Sequence, residues 1–209
     1  MKFYDCATAP SPRRVRIFIA EKGVSLPTVQ VDLRSGEHLQ PAFAAINPWR
    51  TVPAIELDDG TAISEASACC RYLEEVYPDP PLMGRDPKEK ATVAMWDHRC
   101  EIDGFLAVAE ALRNDAKGMR GRALPGPIGY EQIPALAERG KTRVGHFFEV
   151  INERLGESEF VAGPNYSVAD ITAFVAVEFA GWIKLTPPDG AAHLRRWLAA
   201  MRARPSATV

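Results

Sequence analysis

The chain has 209 residues, of which 46% are hydrophobic and 25% are charged, and this composition argues against a disordered or fibrous protein. Its 25 basic and 27 acidic residues give a formal net charge of −2, so we expect no nucleic-acid partner. The first residues lack a signal-peptide pattern, and no apolar run approaches roughly 20 residues, so we expect no membrane partner and a cytoplasmic location.

The first 77 residues combine strand and helix patterns. Lys2–Tyr4 predicts a short strand, and Ser11-Pro12 predicts the start of a helix, because serine is a favoured N-cap and proline is favoured at the first helical position. Lys22-Gly23 is typical of the end of that helix. The further predicted elements are strands over Thr28–Leu33 and Val52–Leu57, a hairpin turn at Asp59-Gly60, a return strand over Thr61–Ile63 and a helix that begins at Ser64-Glu65. This order predicts a small α/β domain.

The rest of the chain carries almost only helical patterns. Long helices are predicted over Ala91–Lys117 and from Leu136 to Leu155, and apolar residues between Leu194 and Met201 repeat at helical spacing. Ser167-x-x-Asp170 resembles a capping box at the start of a buried helix, and we assign Asp170 to folding alone. A helical bundle accounts for all of these patterns.

A proline-rich stretch separates the two halves. Residues 78–87 include four prolines and one glycine, which is typical of a linker. We therefore predict an α/β domain over residues 1–77 and an all-helical domain over residues 88–209.

The cysteines do not indicate a metal site. Cys6, Cys69, Cys70 and Cys100 form no Cys-x-x-Cys motif and fit no zinc spacing. We expect four free thiols, as in a reducing compartment, and no bound metal.

Ser11 is the first candidate for chemistry. A helix N-terminus presents free N–H groups and the positive end of the helix dipole, so it favours an anion. A thiol placed there loses its proton more readily, and the Ser11 hydroxyl is able to donate a hydrogen bond to the thiolate. The alternative interpretation is that Ser11 only caps the helix.

Two later stretches offer groups that would bind a ligand. Pro53 marks a strand start, which leaves the backbone of Val52 available to an extended peptide; the alternative is a simple entry from turn to strand. Glu65 stands in a first helical turn, where it either complements the helix dipole or holds a ligand ammonium group. Ala66 would present its backbone N–H to a ligand carboxylate.

In their order and spacing, these stretches resemble the cytosolic glutathione S-transferase superfamily. The resemblance covers essentially the whole chain and rests on the APSPRRVRIFIAEKG helix, the INPWRTVPAIELDDG block, the ISEASACCRYLEE helix, the proline-rich linker and the Ser167–Asp170 box. It implies a thioredoxin-like N-terminal domain that binds glutathione as a co-substrate, and an all-helical C-terminal domain that supplies most of the second-substrate pocket. It also implies a homodimer, and an enzyme that directs the glutathione thiol at a small hydrophobic electrophile or a disulfide.

The resemblance assigns binding roles residue by residue. The backbone of Val52, before a cis Pro53, pairs with the cysteinyl part of glutathione, and Glu65 holds the γ-glutamyl amine. Most members have a serine after that acid, and here Ala66 stands in its place. The loss of one hydroxyl contact to the γ-glutamyl carboxylate weakens binding by roughly 1 kcal/mol, while the backbone N–H of Ala66 remains.

Three further residues are assigned to the glycyl carboxylate. His38 sits where many members place a residue that faces this group, although a solvated loop histidine is the alternative. Arg50 or Thr51 occupies the position at which several classes carry a basic residue. Candidates for the second-substrate pocket are Phe105, Arg113, Met119 and Trp182, each of which also fits a place in the core or on the surface.

The resemblance leaves the thiol-activating residue open among three. Ser11 is the first choice, because it aligns with an asparagine used by bacterial members. Cys6 is the second, since members with a catalytic cysteine form a mixed disulfide with glutathione, and Thr8 is the third. Tyr4 lies inside the predicted strand, too early in the chain for the tyrosine of the tyrosine-type classes.

Two functions without catalysis compete with the enzyme. The missing serine beside Glu65 favours a non-catalytic interaction module with the same architecture, and a carrier for hydrophobic ligands is the third hypothesis. The retained Glu65, Val52-Pro53 and Ser11 favour the glutathione transferase.

Overall fold

A computed structural model describes residues 1–209. The chain divides into two compact units, which confirm the predicted class of an α/β fold followed by an all-helical fold. Unit 1 comprises Met1–Pro80, Pro125–Ile128 and Val209, and unit 2 comprises Pro81–Leu124 and Gly129–Thr208. None of the helices combines the length and the apolar character that a membrane crossing requires.

Unit 1 is built on a four-stranded mixed sheet in the order β2-β1-β3-β4. The strands are β1 (Lys2–Asp5), β2 (Thr28–Gln30), β3 (Ala54–Glu56) and β4 (Ala62–Ser64). β1 pairs in parallel with β2 and antiparallel with β3, and β3 pairs antiparallel with β4. β2 and β3 are shorter than the sequence patterns predicted: β2 ends at Gln30 and β3 begins at Ala54, two residues after Val52.

Three helices complete unit 1. They are α1 (Pro10–Glu21), α2 (Pro41–Ile46) and α3 (Ala66–Val76), and α1 packs against α3. The expectation that Ser11 is the N-cap of α1 is wrong. Pro10 already occupies the first helical position, for which its fixed φ suits it, so Ala9 becomes the N-cap and makes no side-chain capping bond.

A buried ion pair, which the sequence patterns did not predict, joins α1 to α3. Lys22 Nζ lies 2.6 Å from Glu74 Oε2 and donates a hydrogen bond to the carbonyl oxygen of Pro80, and the Lys22 side chain is fully buried. The sequence indicated only a cation at the end of α1. Removal of one partner would leave the other charge buried and uncompensated, so it would strongly destabilise the protein.

Unit 2 is a helical bundle. Its helices are α4 (Pro87–Arg99), α5 (Leu106–Asp115), α6 (Pro134–Glu157), α7 (Val168–Ala180) and α8 (Ala192–Arg202). The single helix predicted over Ala91–Lys117 is interrupted by a π-helical turn at Cys100–Phe105. Gly104 in this turn lies so close to Phe147 of α6 that a Cβ atom would be 2.7 Å from the ring. The absence of a side chain at Gly104 therefore lets the π-helical turn approach α6.

Candidate functional site

The strand register gathers the predicted site segments of unit 1 at one end of the sheet. Tyr4 pairs with Ala54, and Ala54 pairs with Ser64. The turn after β1, the Val52-Pro53 pair before β3 and Glu65 after β4 therefore extend from the same end. Because β2 runs parallel to β1, the segment after β2, which leads to His38, starts from this end as well.

The turn after β1 is held by polar contacts that the sequence analysis missed. Arg16 Nη1 donates to Asp5 Oδ1 and to the carbonyl oxygen of Cys6, the latter at 3.1 Å, and Arg16 Nη2 donates to the carbonyl oxygen of Ala7 at 3.0 Å. Gln30 Nε2 donates to Asp5 Oδ2 at 2.7 Å, and Gln30 Oε1 accepts from the Ala7 N–H at 2.9 Å. The spacing of these residues in the chain gave no signal for this network, because it connects two strands and a helix.

The three candidates for thiol activation lie in this turn or just after it. Cys6 is 8% exposed, packs in a cluster with Val52, and places its Sγ 3.5 Å from Thr8 Oγ1. Ser11 is half-buried in the first turn of α1, where its Oγ accepts a hydrogen bond from Arg14 Nη2 at 3.1 Å. Ser11 therefore keeps its own hydroxyl proton for another acceptor, beside a guanidinium that favours an anion.

Tyr4 is engaged elsewhere. Its hydroxyl donates to Glu56 Oε2 at 2.6 Å, and burial together with this carboxylate raises the pKa of Tyr4 to about 12. The same hydrogen bond lowers the pKa of Glu56. Because this hydroxyl proton is already donated to Glu56 and Tyr4 lies inside β1, Tyr4 is not placed to donate a hydrogen bond to a glutathione sulfur.

The peptide bond between Val52 and Pro53 is cis, as the resemblance implied. Both residues are buried, and Val52 lies outside the registered pairs of β3 with β1 and β4. Asn47, which is 1% exposed, shapes the preceding turn: its Nδ2 donates to the carbonyl oxygen of Thr51 at 2.8 Å, and its Oδ1 accepts from the Trp49 N–H. The Asn-Pro dipeptide was the available turn signal for this role.

Glu65 stands at the N-cap of α3 with a positive φ of 71° and a ψ of 132°. A non-glycine residue there costs of order 1–3 kcal/mol, and such strain is typical of functional sites. Its side chain is exposed and makes no capping bond to the helix. Ala66, the first residue of α3, is 3% exposed.

His38 and Arg50, two of the residues assigned to a carboxylate, are half-buried in unit 1. His38 lies in the 3-10 turn Glu37–Leu39, and Arg50 has a φ of 54° directly after the exposed Trp49. Thr51 is also half-buried, and its Oγ1 accepts from Asn47 Nδ2 at 3.3 Å.

The four candidates for the second-substrate pocket lie in unit 2. Phe105 and Trp182 both contact Phe179, the first with a tilted ring and the second edge-on, with ring centroids 5.4 and 5.2 Å away. Arg113 donates to the carbonyl oxygen of Arg122 at 2.8 Å, and its burial lowers its pKa. Met119 is half-buried in a 3-10 turn after α5.

Comparison with known proteins defines the class. Residues 8–76 match the family model "Glutathione S-transferase, N-terminal domain", and residues 95–205 match "Glutathione S-transferase, C-terminal domain". The chain is 36% identical to "Glutathione S-transferase 2" of Saccharomyces cerevisiae over 99% of this chain and 87% of that protein. The chain therefore belongs to the glutathione S-transferase family.

Solved structures agree with this assignment. A glutathione S-transferase domain-containing protein from Marinobacter aquaeolei VT8 is 40% identical, with a TM-score of 0.91 over 99% of each chain. Gtt2 from Saccharomyces cerevisiae is 34% identical, with a TM-score of 0.90 over 100% of this chain and 99% of that one. The prediction of a glutathione transferase, with glutathione as its co-substrate and a thioredoxin-like first domain, is confirmed.

Proposed function

We propose that glutathione binds at the end of the unit 1 sheet and that the Ser11 hydroxyl stabilises its thiolate for attack on a small hydrophobic electrophile. The observation that carries this proposal is the convergence, at one sheet end, of the turn after β1, the Val52-Pro53 pair and the strained Glu65. In the reaction the sulfur lone pair forms a bond to carbon, the leaving group departs with the bonding electrons, and the thiol proton passes to solvent. Disulfides, which the thiolate would attack at sulfur, are the second proposed class of substrate.

The binding roles follow the polarity of each group. The Val52 backbone would pair with the cysteinyl part, the exposed Glu65 carboxylate would take the γ-glutamyl ammonium, and the Ala66 N–H would take the neighbouring carboxylate. His38, Arg50 and Thr51 would face the glycyl carboxylate. A helix N-terminus and the Arg14 guanidinium beside Ser11 favour a negative sulfur.

Two opposite substitutions test the γ-glutamyl end. Glu65→Gln should weaken glutathione binding about tenfold, because an amide loses the ionic part of the contact to the ammonium. Ala66→Ser should tighten binding about fivefold, because it restores the hydroxyl that most family members carry. Calorimetric titration of reduced glutathione into the wild-type protein and both variants measures the three dissociation constants.

Glu75→Gln, on the exposed face of the same helix, is the matched control and should leave the dissociation constant unchanged. Wild-type protein that binds no glutathione at several millimolar would reject the proposed site and favour the interaction module. Saturable dye binding without turnover would instead favour the carrier. Equal losses in Glu65→Gln and Glu75→Gln would reject the specific role of Glu65.

We also propose a homodimer that acts in the cytoplasm in detoxification. Three exposed apolar side chains on unit 2 support the dimer: Met95 of α4, Ile102 of the π-helical turn and Leu106 of α5 are 48%, 37% and 46% exposed. Large exposed apolar side chains are candidates for an interaction surface. Leu106→Glu should therefore shift a dimer towards monomer in sedimentation experiments, whereas Val209→Glu should not. A monomeric wild-type protein would contradict the proposal.

A further inference from the structure

The turn Cys6–Ala9 joins β1 to α1, and its backbone is tied on both sides. Within the turn, the Ala9 N–H donates to the Cys6 carbonyl oxygen at 2.9 Å. That oxygen also accepts from Arg16, as does the carbonyl oxygen of Ala7. The Ala7 N–H donates in turn to Gln30 Oε1.

Arg16 is the centre of this arrangement. One guanidinium reaches a buried carboxylate and two successive carbonyl oxygens, and only its planar fork supplies these donors at fixed angles. Asp5, whose side chain is 1% exposed, forms an ion pair with the guanidinium and accepts a hydrogen bond from Gln30 Nε2. Because Arg16 belongs to α1, the network ties that helix to the end of β1 and to the turn between them.

We propose that Arg16, held by Asp5 and Gln30, is a positioning residue that fixes the thiol-activating group against the bound glutathione sulfur. This inference rests on the proposed function but not on the choice among Ser11, Cys6 and Thr8, since all three lie in the turn or in the first turn of α1. The residues assigned to the ends of glutathione lie on other segments. The network therefore acts on the chemical step and leaves most of the binding to those segments.

Arg16→Lys is the decisive variant. Lysine keeps the charge beside Asp5 but lacks the fork that binds both carbonyl oxygens. We expect the kcat for glutathione conjugation to fall at least tenfold, because small displacements of a catalytic group are costly, while the KM for glutathione changes less than about twofold. We also expect the pKa of the bound glutathione thiol, followed by the ultraviolet absorbance of the thiolate, to rise towards that of free glutathione.

Lys22→Met is the matched control on the same helix. It removes one partner of the buried pair with Glu74 at the far end of α1, so it should lower thermal stability without moving the pKa of the bound thiol. Gln30→Met removes the contacts to Asp5 and Ala7 and should shift that pKa in the same direction as Arg16→Lys. If Arg16→Lys does not fold, Gln30→Met tests the proposal in its place.

The outcomes separate this inference from the proposed function. If wild-type protein neither binds glutathione nor lowers its thiol pKa, the proposed function fails. If wild-type protein does both, and Arg16→Lys or Gln30→Met shows the wild-type kcat and thiol pKa, the positioning role is rejected. A loss of stability with an unchanged thiol pKa, as expected for Lys22→Met, would also reject it and assign Arg16 to folding alone.

Discussion

Ser11→Ala should lower the kcat for glutathione conjugation about 100-fold, with little change in the KM for glutathione. Loss of one hydrogen-bond donor to a developing or resident anion in an active site has this size. The KM should hold because the groups that bind the two ends of glutathione lie outside α1. Steady-state kinetics over a range of pH, with a chromogenic aryl halide as electrophile, measures both constants.

The structure makes this variant easier to interpret than the sequence suggested. Ser11 makes no capping bond, since Ala9 is the N-cap of α1, so its removal costs the helix no capping hydrogen bond. The lost contact is the one to Arg14 Nη2. If Ser11→Ala reacts more slowly but has nearly wild-type stability, the loss of rate is due to the missing hydrogen bond to the glutathione sulfur and not to a disturbed helix.

Three further variants control this experiment. Ser11→Thr keeps a hydroxyl and should retain most of the rate. Cys6→Ala and Thr8→Ala remove the two competing candidates, whose side chains lie 3.5 Å apart, and should leave the rate within a few-fold of wild type. An unchanged rate in Ser11→Ala, together with a large loss in either of the other two, would move the activating role to that residue.

Asp170→Ala should destabilise the protein by about 4 kcal/mol or prevent folding. The Asp170 carboxylate is fully buried and accepts four hydrogen bonds: from the N–H of Val161 at 2.9 Å, the N–H and hydroxyl of Ser167 at 3.1 and 3.2 Å, and Trp197 Nε1 at 3.0 Å. Alanine would leave all four donors buried without an acceptor, at roughly 1–3 kcal/mol for each unsatisfied group and with incomplete additivity. Chemical denaturation followed by circular dichroism measures the loss.

Ser167→Ala is the matched control for this network. It removes the hydroxyl that donates to Asp170 and accepts from the N–H of Asp170 but keeps the Asp170 carboxylate, so the loss should be only about 1 kcal/mol. Equal effects of Ser167→Ala and Asp170→Ala would contradict the view that Asp170 serves all of its partners. The capping box predicted from the sequence would then account for the whole contribution of Asp170.

The same carboxylate predicts a pH dependence with a definite sign. Burial raises the pKa of Asp170 from 3.8 to about 6, against the opposing effect of its hydrogen bonds. The folded protein therefore binds more protons than the unfolded chain between these values, so the part of its stability that is linked to the titration of Asp170 is fully present below about pH 3.8 and is lost as the pH rises through about 6. The difference amounts to about 3 kcal/mol.

Asp170→Asn isolates this dependence, because asparagine does not titrate. The free energy of unfolding of wild type minus that of Asp170→Asn should fall as the pH rises from 4 through 6 and level off above that pKa. A difference that rises over this range would show that the hydrogen bonds outweigh burial and hold the pKa of Asp170 below its ordinary value.

The sequence by itself determined the fold class, the order of the four strands and the family, but it did not predict α2 and it predicted one helix where α4 and α5 form. Helical spacing of apolar residues identified α6 and α8, the Ser167–Asp170 box marked the start of α7, and the Asp59-Gly60 turn marked the hairpin of β3 and β4. These signals are local, because each depends on residues within one or two turns of one another. The position of Val52-Pro53 and Glu65 relative to the strands also followed from such local patterns.

Only the tertiary structure decided how α1 begins and what surrounds it. Pro10 and Pro12 both suit the first helical position, and in the structure Pro10 occupies it. Ala9 is therefore the N-cap of α1. The sequence patterns assigned no role to Arg16 and indicated only the end of a helix at Lys22, yet Arg16 binds the turn after β1 and Lys22 is buried against α3. The partners of these two charges are 9 to 58 residues away in the chain, so their pairing depends on how the elements pack, and no local pattern encodes it.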